Sequence, residues 1–450
     1  MLQKGLYKSF IIFNRLKWWT HRRITPAGWL ILAALVVSAA LGIDTNQSLA
    51  FQIFCLLLAV ISVSLAVSLI WRLPFKAWRA VPRFGVVGEP LAYRVFIRHE
   101  SPKIQPGVLI DDQTDIAWPT LDEFTQAEEP NQRQRNVIDR KLGYYRWSWL
   151  LNRKRSISAR EVQTGPWPPK TTLELRMEAL PQRRGHLHLT RLSLARPDPL
   201  GLWRTVRVVN ASDSILILPR HYPVPNIALP GKRKYQPGGE SAAFSVGDSE
   251  EFVSLRDYRP GDPLHRIHWK SWAKTEKPVV KEYQDEFFVR HALILDTFQT
   301  EETDELFEEA VSVATSLVGN ILTQESLLDL MFVGAQAYCF TSGRGIAQID
   351  RMMEILAVVQ PCRDKPFGTL EPLILGRAAW LTACLCVFLN WDRERQKLVA
   401  RLKSLGLPIK VLVVLPAGPK QALDPGPMAI DFSNFHCLEL GRVAEGLSRV

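Results

Sequence analysis

Two apolar segments, residues 26–43 and 48–71, joined through the polar hinge at residues 44–48, constrain this 450-residue chain more than any other feature. Each approaches the roughly 20 apolar residues that a membrane-spanning helix needs, and so short a hinge permits only a tight helical hairpin. Thr25 and Pro26 read as the cap and first residue of the first helix. Lys4, Lys8, Arg15, Lys17, Arg22 and Arg23 precede the hairpin, while Arg72, Lys76, Arg79 and Arg83 follow it. Basic flanks mark the cytoplasmic side, which places both flanks and the whole C-terminal body inside the cell. Trp18, Trp19, Trp29, Trp71 and Trp78 suit an interfacial aromatic belt. Two other readings stay open: a cleaved signal peptide, for which no small-residue cleavage pattern is evident, and a buried hairpin in a soluble protein.

The net charge of +11 invites a nucleic-acid reading until its location is examined. Residues 1–100 hold 12 Lys/Arg against 3 Asp/Glu, or +9, leaving only +2 for the remainder. The excess flanks the apolar segments, so nucleic acid is not the expected partner. The six cysteines form no C-x-x-C pair and lie in apolar stretches, as reduced core thiols do. Neither a phosphate-binding G-x-x-x-x-G-K-[ST] loop nor a G-x-S-x-G nucleophile elbow occurs.

Past the apolar pair, five regions are expected: a basic N-terminus at 1–25, the hairpin at 26–71, a β-sandwich at 79–225 with an insertion at 111–163, a signature segment at 226–288, and an α/β region at 289–450. Short alternating runs at 91–97, 170–177, 185–194 and 214–218 support the sandwich. The insertion ends in the aromatic, basic stretch GYYRWSWLLNRKR, residues 143–155, which either packs on its own domain or touches lipid headgroups. Beyond residue 290 strands alternate with helices. Residues 291–296 are a continuous apolar run suited to a strand buried on both faces, further strands are expected at 327–333, 380–389 and 409–415, and helices at 346–359 and 393–405. Such alternation implies a doubly wound, mainly parallel sheet.

The densest chemistry lies in RDYRPGDPLHRIHWKSWAK, residues 256–274. Pro260 and Gly261 suit the two central positions of a type II turn. Asp262, held extended by Pro263, is a natural N-cap for a short helix at 264–269. Two readings of this segment stand side by side. In one, Arg256, Arg266 and Lys270 receive a partner's carboxylates and Tyr258 and Trp269 anchor it. In the other, Asp257 and Asp262 pair with the arginines, Trp269 is buried, and the segment is an internal clasp. Catalysis by His265 or His268 has little support, because no serine or cysteine nucleophile adjoins them.

At these residues the chain resembles the domain of unknown function 58 (DUF58) family, bacterial membrane proteins associated with MoxR-type AAA+ ATPases. The family pattern R-x-Y-x-x-G-D-x-x-R-x-I-x-W-x-x-x-A-R is met by Arg256, Tyr258, Gly261, Asp262, Ile267, Trp269 and Ala273, with His265 and Lys274 standing at two of its arginine positions. The stretch RGHLHLTRLSLARPDPLGLW, residues 184–203, resembles the family's glycine-started strand pair closing on Asp-Pro-x-Gly-Leu. The resemblance implies a von Willebrand factor A-like fold for the α/β region and a MoxR-type ATPase as partner. It also implies a cation site built from Asp296, Thr300, Thr369 and Asp392, with Asn390 a rival to Asp392 and Mg2+ the expected ion. Phe298 stands where the family's metal loop carries a serine, so the set is incomplete and weak or absent Mg2+ binding is expected. The expected function is a membrane-anchored, non-enzymatic adaptor for protein–protein interaction; the alternative is a metal-dependent hydrolase using Asp296.

Overall fold

The computed structural model describes residues 2–450 apart from 42–47, 71–74, 101, 103, 105–106, 115–117, 130–131, 133–134, 160, 167, 226–233, 236–251, 263, 265–266, 284–286, 300–304, 323–326, 343–345 and 419–422. The chain divides into two compact units, Met1–Leu218 and Pro219–Val450.

The first unit opens with three helices, Leu2–Arg23, Pro26–Leu41 and Ser48–Ile70. Helix Ser48–Ile70 is long and apolar enough to cross a membrane, with a mean hydropathy of 2.5 over Leu49–Ser68. Helix Pro26–Leu41 is equally apolar but has 16 residues, about 24 Å at 1.5 Å per residue, which is shorter than the roughly 30 Å hydrocarbon core. One spanning candidate is therefore observed where two were expected, and residues 42–43 and the hinge lie outside the described residues except for Ser48. Thr25 caps the shorter helix as expected, its hydroxyl accepting from the Gly28 N–H at 3.0 Å.

Behind the helices stands a β-sandwich. One sheet has the strand order Phe75–Ala80, Leu91–His99, Thr172–Pro181 and Ile157–Ala159; the other runs Phe84–Val86, Arg204–Leu218, Gly185–Pro197, Leu109–Thr114 and Val162–Gln163. Alternate residues of each strand face inward, so Val95, Ile97 and Met177 of one sheet meet Leu189, Leu192 and Ile215 of the other in a single core. Both ends of the expected insertion are sheet strands. Between them, helices Leu121–Gln126, Val137–Leu142 and Tyr144–Lys154 form an outgrowth in which Trp147 and Phe124 are buried against one another. Helix Leu2–Arg23 joins that cluster through Tyr7, Phe10 and Ile11, so this stretch packs on its own unit.

The Asp198–Trp203 turn is the socket that holds the apolar helices. Asp198 accepts from the backbone N–H groups of Leu202 (2.7 Å) and Trp203 (2.9 Å), which shapes the turn, and its second oxygen accepts from the Ser64 hydroxyl at 2.6 Å. The Thr25 N–H donates to the Leu202 carbonyl at 3.1 Å. Gly28 has no alternative at this contact, since a Cβ there would stand 2.3 Å from the Leu202 carbonyl oxygen. A buried hydroxyl in an apolar helix needs a partner, and Asp198 supplies one.

The second unit is built on a six-stranded sheet in the order Ala337–Ser342, Leu327–Val333, Arg290–Leu295, Ala383–Phe388, Ile409–Leu415, Phe435–Glu439. Only Ala337–Ser342 runs antiparallel to its neighbour. Every residue of Leu327–Val333 is buried because both faces are covered. Leu293, Leu330 and Leu385 point toward helices Glu305–Leu322 and Ile346–Val358, whereas Ile294, Met331 and Cys386 point toward helix Arg393–Ser404. Strand order reverses between Arg290–Leu295 and Ala383–Phe388. That switch point is where open α/β sheets leave a crevice at the strands' carboxyl ends.

Candidate partner surface and a closed strand-end centre

The signature segment is a hairpin arm in the second unit. Strands Phe252–Asp257 and Val279–Tyr283 pair antiparallel, with Arg256 opposite Val280 and Asp257 opposite Val279. At the turn Gly261 has φ 108°, a conformation that L side chains resist, and the Asp262 N–H closes on the Arg259 carbonyl at 3.0 Å. Asp262 then accepts two parallel bonds from the Arg256 guanidinium, both at 2.8 Å, and a third from the Arg259 N–H at 2.8 Å. The Arg256 hydrogen bond, with that backbone donor, pulls the Asp262 carboxyl down to about 2. This bidentate clip fixes the turn relative to the strand.

A helix occupies Trp269–Thr275, with His268 at its N-cap, while His265 and Arg266 of the helix expected at 264–269 lie outside the described residues. Ile267 bridges Val280 and is buried with Val279, and the His268 N–H donates to the Val279 carbonyl at 2.8 Å. Those contacts dock the helix on the hairpin and turn its aromatic face outward. Trp269 is 63% exposed and stacks on Trp272, with ring centroids 5.2 Å apart. Lys270 is exposed and Tyr258 half-buried, its N–H bonded to the Pro278 carbonyl. Arg256 and Asp262 form an internal clasp, the Trp269 ring stays in solvent, and Arg266 lies outside the described residues.

At the switch point, Asp296 follows strand Arg290–Leu295 and is fully buried. One carboxylate oxygen accepts from the Phe298 N–H at 3.0 Å; the other accepts from the Leu389 N–H at 3.1 Å and from Arg395 Nε at 2.7 Å. Arg395 also reaches Asp392 through Nη1 at 2.5 Å, and its guanidinium carbon lies 4.5 Å from the centre of the Phe367 ring. Asp392 caps helix Arg393–Ser404 by accepting from the Arg395 N–H at 3.0 Å. Burial pushes the Asp296 carboxyl above its ordinary range, against the opposing pull of Arg395 and the two backbone donors.

Of the expected cation ligands, Asp296 and Asp392 are brought together, but on a guanidinium. Phe298 packs edge-on against Phe367 at 5.4 Å. Thr369 sits in the 3-10 turn Phe367–Leu370, and no hydrogen bond among the described residues joins it to either aspartate. Asn390 turns its side-chain oxygen to the Trp391 N–H at 2.7 Å, and Thr300 lies outside the described residues. No group of three or more His, Cys, Asp or Glu side chains placed to hold a metal occurs among the described residues. Among the described residues the donors fall short of the six or more oxygens that a hard divalent cation takes, and the Arg395 guanidinium lies between the Asp296 and Asp392 carboxylates. Arg395 escaped notice in the sequence. Its only signal was a basic residue one helical turn after Asp392.

No family model matches the chain. The uncharacterized protein YeaD of Bacillus subtilis (strain 168) is 24% identical over 230 residues, which cover 50% of this chain and 55% of the relative. The chain therefore spans about half the length of that curated protein. Among solved structures, a CARDB domain from Pyrococcus furiosus in complex with di-metal ions aligns with 32% of this chain and 89% of its own at 10% identity and a TM-score of 0.17. Salmonella alpha-2-macroglobulin reacted with methylamine aligns with 40% of this chain and 9% of its own at 12% identity and a TM-score of 0.19. Likenesses this slight carry no argument about fold or role.

Proposed function

We propose that this protein is a membrane-tethered, non-enzymatic adaptor whose signature arm meets a partner protein, with a MoxR-type AAA+ ATPase the partner that the DUF58 resemblance implies. The observation that carries the reading is the Trp269 ring, held in solvent on a short helix that Ile267 and His268 dock on the hairpin whose turn the Arg256–Asp262 clip fixes. An aromatic side chain fixed outside the core loses little entropy on binding and desolvates a large face, which is how interface anchors work. Lys270 beside it suits an acidic partner surface. Helix Ser48–Ile70, seated in the Asp198 socket, supports the tether and the inner-membrane location.

The strand order with one antiparallel strand supports a von Willebrand factor A-like reading of the second unit. In this reading the strand-end site is a structural centre, with Arg395 supplying the positive charge that a bound cation supplies elsewhere. Calorimetric titration of Mg2+ into the full chain is expected to give no stoichiometric heat. A tight one-to-one site lost in Asp296→Ala would overturn that assignment. For the adaptor itself, pull-down of the full chain from its native membranes is expected to recover a MoxR-type ATPase, less so for Trp269→Ala. Repeated recovery without any AAA+ ATPase would count against the partner.

A further inference from the structure

Helix Leu2–Arg23 has two apolar faces, and the sandwich unit uses one of them. Tyr7, Phe10, Ile11 and Asn14 recur at i, i+3, i+4 and i+7; the three apolar ones pack on the Phe124–Trp147 cluster, and the Tyr7 hydroxyl donates to the Pro119 carbonyl at 3.0 Å. Ile12, Leu16 and Trp19 recur at i, i+4 and i+7 on the opposite face, with Phe13 beside them. None is covered: Ile12 is 65% exposed and Leu16 55%. Lys4, Lys8 and Arg15 line one border of this stripe and Lys17 the other, and the helix contains no acidic residue. A 22-residue helix with a second, unpartnered apolar stripe set between cations has the make-up of an interfacial helix.

Its position agrees. Only Ile24 and Thr25 separate it from the apolar helix Pro26–Leu41, so its last turn must lie close to the level at which that helix begins. Arg22 is held to Asp111 and hydrogen-bonds the Ser193 hydroxyl at 3.2 Å, which clamps the same end to the sandwich.

We infer that helix Leu2–Arg23 lies in the plane of the membrane surface, with Ile12, Phe13, Leu16 and Trp19 among the upper acyl chains and Lys4, Lys8, Arg15 and Lys17 against the phosphates of anionic phospholipids. The stripe's occupant is the bilayer, not a second protein. Together with the Phe124–Trp147 cluster, the helix forms a platform that fixes the height of the sandwich above the bilayer. This rests on the reading of helix Ser48–Ile70 as membrane-embedded.

Nitroxide depth measurements on the full chain in nanodiscs containing phosphatidylglycerol test the inference, using single labels at Ile12→Cys, Leu16→Cys and Lys17→Cys with the native Cys55, which lies exposed on helix Ser48–Ile70, as the depth reference. The expected result is oxygen-rich, nickel-poor environments at positions 12 and 16, an aqueous one at 17, a deep one at 55, and a shallower position 12 when phosphatidylcholine replaces phosphatidylglycerol. A deep position 55 with water-exposed positions 12 and 16, or with both shielded from oxygen and nickel alike, would overturn the platform while leaving the anchor standing. An aqueous position 55 would overturn both. A position 12 whose depth ignores the lipid charge would overturn the role of the basic border. Where the single-cysteine background fails to fold, a benzophenone side chain at position 12 in the otherwise native chain serves instead: lipid adducts support the platform and protein adducts refute it.

Discussion

Among the arginine–aspartate pairs of the second unit, Arg256–Asp262 at 2.8 Å and Arg395–Asp296 at 2.7 Å have nearly equal length in opposite surroundings. In the arm the two side chains are 34% and 17% exposed; at the strand end they are 7% and 0% exposed. Water and salt screen the first pair, which belongs with surface ion pairs worth about 0–1 kcal/mol. The second has lost its hydration, so deleting one partner takes from a buried charge its buried counterion, at about 3–5 kcal/mol, with only the half-exposed Asp392 left to Arg395. Distance alone does not tell what a pair is for. The buried pair ties the end of strand Arg290–Leu295 to helix Arg393–Ser404, whereas the exposed pair contributes little stability and instead shapes the turn of the arm.

The sharpest way to break this contrast is Asp296→Ala, which is expected to destabilise the second unit by about 3–5 kcal/mol. Hydrogen exchange along strand Arg290–Leu295 in the full chain measures it, and adding Arg395→Leu should restore part of the loss. A single-mutant cost below about 1 kcal/mol would place the pair with the surface class.

Acid supplies the next test, of about 3 kcal/mol. Burial lowers His291 from 6.5 to about 4, so between those values the unfolded chain binds the extra proton and the folded chain does not. Stability contributed by neutral His291 is complete above about pH 6.5 and falls as pH drops toward 4. His291→Phe is expected to flatten that part of the unfolding profile in the same exchange measurement. An unchanged acid slope would show that the ring is hydrated.

Asp262→Ala should leave the global stability of the unit nearly unchanged while loosening the arm locally, seen as faster exchange at Val279–Tyr283. The Asp262 carboxyl is depressed to about 2, so the clip is at full strength above its unfolded value of about 4 and is lost as pH falls through about 2. Protection at the arm, taken relative to the intrinsic exchange rate at each pH, that stays constant from pH 7 to 5 and falls only below about 4 would agree. A large loss of global stability would mean that the clip is a core element after all.

How much of this was legible beforehand follows from the same physics. Strands Leu327–Val333 and Ile409–Leu415 read directly as runs that are apolar but for Asp329 and Lys410, because both of their faces are covered. Strand Ala337–Ser342, at the sheet's antiparallel edge, is only partly buried and gives no such run. Helix Leu2–Arg23 was hidden because its two apolar faces, one for the Trp147 cluster and one exposed, blur the single stripe that marks an ordinary surface helix. The clip is readable as a pairing between Arg256 and Asp262, whereas the following helix Trp269–Thr275 is not, because Trp269, Lys270, Trp272 and Lys274 give no single apolar stripe. Arg395 was invisible for a different reason: two aspartates near strand ends suggest a cation, and nothing in their spacing says whether that cation is a metal ion or a side chain.

The smallest expected effect on stability and the largest on function meet at Trp269. Binding of the full chain in nanodiscs to the MoxR-type ATPase of the same organism, compared between the wild type and Trp269→Ala, is the most direct test. Affinity is expected to fall by roughly thirtyfold, the scale of a hot-spot anchor at about 2 kcal/mol, with thermal unfolding unchanged. Equal affinity for the two proteins, both fully folded, would contradict the arm as the partner surface.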